Sequence, residues 1–338
     1  MLRIHCTARD LETIRIAHGP DPLWEIVCSL CRLQDREGRI AFGGWRREAT
    51  GRIRRGGEVR DAVRALCGLV PPRSPYFPDF LTPPPVPQAG GVRAGIDRVL
   101  STPRSRLRTE IGLLTINAGA PAAAAALARG ETSALERLGS DLLTYHEVFM
   151  GPLWQRIETA VAADVAWRSG VLATGGIRAL LATFRPMISW EAPVMEVDYP
   201  VDRDLLLEGR GLLLVPSYFC WRRPVSLFDE SLLPVLVYPV DKTVVPDAPV
   251  APDQLARLLG PTRAALLYET ATRGFASTSA LAGRVVVSVP SASQQLGVLR
   301  EAGLVSSRRD GKYVLHSVTP LGLRLLGNRA AAAAEERS

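Results

Sequence analysis

The side chains best suited to recognition chemistry lie between residues 288 and 312. Ser291, Ser293, Gln294 and Gln295 can donate and accept hydrogen bonds, and the Gln294 amide can pair with both exposed groups of an adenine edge. Around them Ser288, Arg300, Arg308, Arg309 and Lys312 supply one hydroxyl and four cations, the groups that bind phosphate oxygens. The pattern predicts a surface for duplex DNA, with the first four residues reading bases and the other five holding the backbone.

Other reactive residue types offer less. Cys28-Ser29-Leu30-Cys31 has the spacing of a redox or zinc motif, but it sits inside a predicted helix and no second pair follows it, so it reads as packing. His5, His18, His146 and His316 show no metal-ligand spacing, the His146-Glu147 pair included. Thr174-Gly175-Gly176 reads as a helix start, with an anion-binding nest as the alternative. Trp154, Trp167, Trp190, Tyr218, Phe219 and Trp221 read as core, with an apolar ligand pocket as the alternative. No nucleophile–base pair, metal cluster or phosphate loop is legible, so no enzyme, cofactor or metal is expected.

The elements that must position the DNA-directed residues follow from local signals. Ser288 can cap a helix over Val289–Glu301, and Gly303 can stop it. Val289, Ala292, Leu296 and Leu299 then form one apolar stripe, which turns Ser291, Ser293, Gln294, Gly297, Val298 and Arg300 outward and Glu301 away from a groove. Residues 304–307 and 313–318 alternate on either side of Arg308-Arg309-Asp310-Gly311-Lys312, where Asp-Gly signals a hairpin with three cations at its tip. Helices are expected at 255–259, 261–272 and 277–286. A last helix over 320–326 carries Leu321, Leu323, Leu325 and Leu326, enough apolar surface to suggest cover by a partner subunit.

With 338 residues, 47% of them hydrophobic, the chain can fill two cores. Eight prolines between 71 and 87 predict an extended surface excursion, and Pro246, Pro249 and Pro252 mark a boundary. Residues 1–250 then form one domain and 253–328 another, with 329–338 a disordered tail. In the first, a strand is expected at 2–6, and a helix from Asp21-Pro22 to about 36 with Leu23, Ile26, Val27, Leu30 and Leu33 on its core face. Helices follow at 122–128, 133–149, 153–169 and 176–184, then strands at 187–197, 211–216 and 233–239, with no clear βαβ rhythm. Residues 253–338 hold 11 Arg or Lys against 6 Asp or Glu, and the first 252 hold 30 against 28, so the basic excess concentrates at the C-terminal end. Five scattered cysteines suit a reducing compartment, and the absence of an apolar span or secretory signal points to the cytoplasm and away from a membrane.

Residues 253–328 resemble the winged helix-turn-helix of ArsR-type transcriptional regulators. The resemblance is carried by Leu259-Gly260-Pro261-Thr262-Arg263, by Ser288-Val289-Pro290-Ser291-Ala292-Ser293-Gln294-Gln295-Leu296 and by Leu299-Arg300-Glu301-Ala302-Gly303-Leu304-Val305. It implies a dimeric repressor on a double-stranded DNA operator, released by an effector. Two departures stand out. Val286 occupies a turn position where many relatives have Gly, and residues 274–279 lack the cysteine pair of metal-sensing members, so metal sensing there is not expected. Residues 1–250 are similar to long actinobacterial regulators with a C-terminal winged helix, through Asp21-Pro22-Leu23-Trp24-Glu25 and Gly209-Arg210-Gly211-Leu212-Leu213-Leu214-Val215-Pro216-Ser217. The expectation is an α+β protein, a mixed α/β N-terminal domain followed by a C-terminal winged helix. It would act as a homodimeric cytoplasmic regulator with room for a small-molecule effector in the first domain. The alternatives are an enzyme or a protein-interaction scaffold with an accessory winged helix.

Overall fold

A computed structural model describes residues 1–35, 37–72, 76–84, 91–118, 123–240, 252–273, 276–310 and 313–326. The fold is α+β and divides into two units, residues 1–240 and 241–338. The tail at 329–338 lies outside the described residues, and among those described no helix is long and apolar enough to cross a membrane.

In the first unit, β1 (Leu2–His5) buries Leu2 and Ile4 while Arg3 and His5, on the other face, both bond Asp204. After α1 (Ala8–Glu12) and β2 (Arg15–Ile16), Asp21 accepts from the amides of Leu23 and Trp24 and starts α2 (Pro22–Gln34), with Pro22 in the first turn. Four helices that the sequence reading did not assign come next: α3 (Arg39–Arg54), α4 (Glu58–Leu69), α5 (Gly91–Leu100) and α6 (Arg104–Ala118). Then come α7 (Ala124–Ala128) and α8 (Thr132–Tyr145), which passes into a π turn at His146–Met150. The helices expected at 153–169 and 176–184 belong to one element, α9 (Trp154–Ala182), interrupted only at Gly176, whose φ is 70°.

The strand expected at 187–197 is instead a hairpin, β3 (Ile188–Glu191) and β4 (Val194–Val197), because Pro193 has no N–H to continue a ladder. With β5 (Arg203–Leu206) these build a sheet in the order β3-β4-β1-β5, where β1 runs antiparallel to β4 and parallel to β5. A second sheet, β2-β6-β8-β7, contains β6 (Leu213–Ser217), β7 (Val225–Ser226) and β8 (Val235–Pro239). β2, β6 and β8 are parallel, and β6 and β8 are buried along nearly their whole length, as parallel strands covered on both faces are. α9 is tied to β8 from inside: Arg168 pairs with Asp164 at 2.9 Å, Tyr238 donates to the same carboxylate, and the guanidinium lies 3.8 Å over Phe184.

The expected amphipathic face of α2 is a buried helix in fact, since Trp24, Glu25, Cys28 and Ser29 are covered as well as Leu23, Ile26, Val27 and Leu30. Its polar groups find internal partners. Ser29 meets the Tyr145 hydroxyl at 2.9 Å, and the Glu25 carboxylate accepts from Ser217 Oγ, the Tyr218 amide and the Phe219 amide at 3.1, 2.6 and 2.9 Å. The segments 21–25 and 209–217, read as separate motifs, therefore meet at one buried carboxylate. Asp10 adds a second tie by accepting from the Gly211 amide.

The expected proline-rich surface excursion is largely buried where it is described. Tyr76, Phe80, Leu81 and Thr82 are covered, because side chains able to fill a core lie between the prolines. Asp79 anchors the turn by accepting from the amides of Phe228 and Asp229.

In the second unit, α10 (Pro252–Leu259) and α11 (Pro261–Arg273) precede β9 (Ala276–Ser277), α12 (Thr278–Val285) and α13 (Val289–Glu301). A hairpin, β10 (Val305–Asp310) and β11 (Tyr313–Val318), pairs with β9 in the order β10-β11-β9, and α14 (Pro320–Leu326) ends the unit. Leu266, Leu267, Leu281, Ala292, Leu296, Leu299, Leu304 and Val305 share its core. The expected partner for α14 is not needed: Leu326 is buried, Leu323 and Leu325 pack on this same core, and only Leu321 is exposed. Gly322 permits that approach, since a Cβ there would lie 2.2 Å from the Leu304 carbonyl oxygen.

Two measurements test these anchors. Glu25→Ala leaves buried donors without acceptors and should cost about 2–4 kcal/mol in denaturant unfolding, whereas Glu25→Gln, which keeps one acceptor, should cost less. Burial pushes the Asp79 carboxyl up to about 6 against its two backbone donors. A pKa raised on folding gives stability that is complete below the unfolded value near 3.8 and is lost as pH rises through about 6. Unfolding followed between pH 4 and 6 should show that decline, and Asp79→Asn should flatten it.

Candidate nucleic-acid interface

Ser288 caps α13 by accepting from the Ser291 amide at 3.4 Å, which leaves its hydroxyl proton for an outside acceptor. At the other end Gly303, with φ 71°, turns the chain: its amide reaches the Arg300 carbonyl and the Leu304 amide the Leu299 carbonyl, the paired bonds of a Schellman motif. Leu299 and Leu304 are both buried beside that turn. These local devices hold α13 in a fixed rotation.

That rotation buries Ala292, Leu296 and Leu299 and exposes Ser293, Gln294 and Arg300, with Ser291 and Gln295 half-buried at the margins. Gln294 sits two residues, or about 200° of helix, from Ala292, nearly opposite the core. Two expectations need correction. Val289 is 48% exposed and does not belong to the buried stripe, since it sits in the first turn about 60° from Ala292. Glu301 does not point away: seven residues after Gln294, it returns to within about 20° of the same line. The outward face is free of acids over its first turns and ends on a carboxylate.

The hairpin differs from expectation in register. Asp310 pairs with Tyr313, so Arg308 and Arg309 belong to the strand, opposite Leu315 and Val314, and only residues 311 and 312 separate the strands. Lys312 lies outside the described residues. Arg308 and Arg309 are both exposed, but successive strand residues point to opposite faces, so the two do not form one cationic tip. Arg309 shares its face with Val305 and Ser307, where the unit's core packs, and Arg308 shares the other with Ser306.

His316, read from sequence as a structural or surface residue, is buried and joins the hairpin to the helices. Its Nε2 lies 2.8 Å from the Thr278 hydroxyl at the start of α12, and its Nδ1 lies 2.8 Å from the Ser307 hydroxyl on β10. Burial, with the nearby Arg300 charge, holds the imidazole below its ordinary pKa. The two-residue period that puts Val318 inward also puts His316 inward, a signal available in the sequence.

The remaining candidates fall elsewhere. Tyr218, Phe219 and Trp221 cluster with Phe42 and Trp45 at ring separations of 4.7–6.3 Å, whereas Trp154 packs on His146 and Trp167 lies beside Arg168. Five of the six aromatics thus fall into separate ring contacts, and Trp190 lies on β3. All five cysteines are free; a hydrogen bond with Cys220 and burial raise the Cys28 thiol well above its ordinary pKa, and burial pushes Cys31 up to about 11 and Cys67 to about 12, far from reactive thiolates. Among the described residues no group of His, Cys, Asp and Glu could hold a metal.

The turn between α12 and α13 carries Val286 at φ 56° and ψ 51°, 88% exposed. A β-branched side chain is strained there, and a glycine is not. Val286→Gly should raise stability by about 1 kcal/mol, after the larger unfolded-state entropy of glycine is offset, as read by thermal unfolding.

Comparison with known proteins bears on the latter half of the first unit and the four residues that follow it. Residues 127–244, about a third of the chain and running from α7 through β8, match a family of unknown function, DUF5937. No curated protein matches the chain.

Proposed function

We propose that this chain is a DNA-binding transcriptional regulator, a homodimeric cytoplasmic repressor whose second unit is a winged helix. In this reading α13 enters the major groove and the β10–β11 hairpin lies against the sugar-phosphate backbone. One observation carries it: a capped helix buries one stripe, presents Gln294 nearly opposite, and is followed directly by an arginine-bearing antiparallel hairpin. The resemblance to ArsR-type regulators supports the same reading and is the sole support for dimerisation and repression, since Leu323, Leu325 and Leu326 of α14 pack within their own unit and only Leu321 is exposed. The first unit takes the sensing role.

A protein-binding winged helix is the second reading. It draws on the exposure of Val286, Val289 and Val298 and on Glu301 at the end of the outward face. A valine methyl can also meet a thymine methyl, so these side chains do not by themselves decide.

Gel shifts over a salt series separate the two. Gln294→Ala should relax discrimination at one base pair by about 1–3 kcal/mol, while Arg309→Ala should weaken all duplexes alike and reduce the slope of log K against log salt by about 0.9. Arg308→Ala, on the opposite face of the ribbon, should change the slope less. Equal loss on specific and random DNA for Gln294→Ala would refute its base-reading role, and the absence of any shift would favour the protein-binding reading.

A further inference from the structure

One strongly basic feature of the first unit takes no part in the DNA reading. α3 holds five arginines, Arg39, Arg46, Arg47, Arg52 and Arg54, against the single acid Glu48. Two of the five are committed to backbone carbonyls: Arg46 donates to Arg32 and Glu37, and Arg52 to Val148 while also pairing with Glu48 at 2.5 Å. Arg47 and Arg54 are exposed and have no hydrogen-bond or ion-pair partner among the described residues.

Those two guanidiniums border an open groove of about 520 Å³ lined by Gly43, Arg46, Arg47, Thr50, Gly51 and Arg54. The spacing explains the alignment. Gly43, Arg47, Thr50, Gly51 and Arg54 recur at i, i+4, i+7, i+8 and i+11, one face of a helix, while Phe42 and Ala49 are buried on the other. Nothing lies within 4 Å of a Cβ built on Gly51, so the helix backbone is open to a ligand there. The Thr50 hydroxyl already donates to the Arg46 carbonyl, which leaves the guanidiniums as the donors. Arg47 and Arg54 are seven residues, about 10 Å, apart along the axis, a separation that two long side chains can close around one compact ligand.

We propose that this face of α3 is a binding site for a small polyanion, a compound with two or more phosphate or carboxylate groups. Guanidinium forks pair bidentately with both oxyanions, and the groove has the size of small-molecule sites rather than of a duplex track. The site does not rest on the DNA reading and would stand if that reading failed.

Isothermal titration of the full chain with pyrophosphate and with citrate, each at 0.15 M salt, tests it and distinguishes the two oxyanion classes. The expected result is saturable binding of at least one probe, weakened at least tenfold in the Arg47→Gln/Arg54→Gln double variant, whose unfolding midpoint stays that of the parent because both side chains are exposed. Arg55→Gln, exposed but about 100° round the axis from Arg54, should bind as the parent does. No saturable binding to the parent, equal binding by the double variant, or equal loss in Arg55→Gln would overturn the proposal. So would a double variant that loses random duplex DNA while small anions bind unchanged, which would make the face a backbone contact.

Discussion

The burial of Ala292, Leu296 and Leu299 with Leu304 and Val305 is the constraint on which the second unit depends. Three residues of α13 fix its rotation, two residues just past its end fix where the hairpin starts, and the bonds at Gly303 allow no slack between them. Once those five side chains are inside, Gln294 has one direction to point, and the parity of β10 decides which arginine shares the helical side. His316 completes the unit by holding β10 and the start of α12 to one ring, so hairpin and helices behave as a single body. In the proposed reading, recognition would be a consequence of packing: the outward residues need only be polar, because the inward ones fix their direction.

The first unit is organised around buried polar groups. Glu25 sits in the first turn of α2, within the stretch 23–30 that is buried on all sides, and is tolerated because three donors at and just past the end of β6 converge on it. Asp10 and Asp79 do the same at other joints by accepting from backbone amides far away in sequence, and Asp164, paired with Arg168 on the same helix, accepts from the Tyr238 hydroxyl. Removing one partner from such a joint costs more than an ordinary contact, because the remaining groups cannot return to water.

What was legible in the sequence is what local signals control. Ser288, Gly303 and the Asp21-Pro22 start all act within one helical turn, and the structure uses each. The hairpin was legible, but its register was not, since Asp-Gly can open a loop or, as here, give up its Asp310 to the ladder. α3 was illegible because Gly43, Gly44 and Gly51 mimic a loop composition; the arginines between them were lost with it. The burial of Asp79 depends on Phe228 and Asp229, some 150 residues away, and no period or cap announces such a pairing. α14 misleads in the opposite sense: Leu323, Leu325 and Leu326 look unpartnered in the sequence but lie on the core of their own unit, and only Leu321 is exposed.

Selection from a pool of random duplexes by the whole 338-residue chain is the sharpest test of the proposal that α13 and its hairpin read duplex DNA. Bound duplexes are expected to converge on a common sequence, with half-sites in inverted repeat about one helical turn apart for a dimer. Repeated rounds that enrich no sequence, with the protein folded throughout, would contradict it.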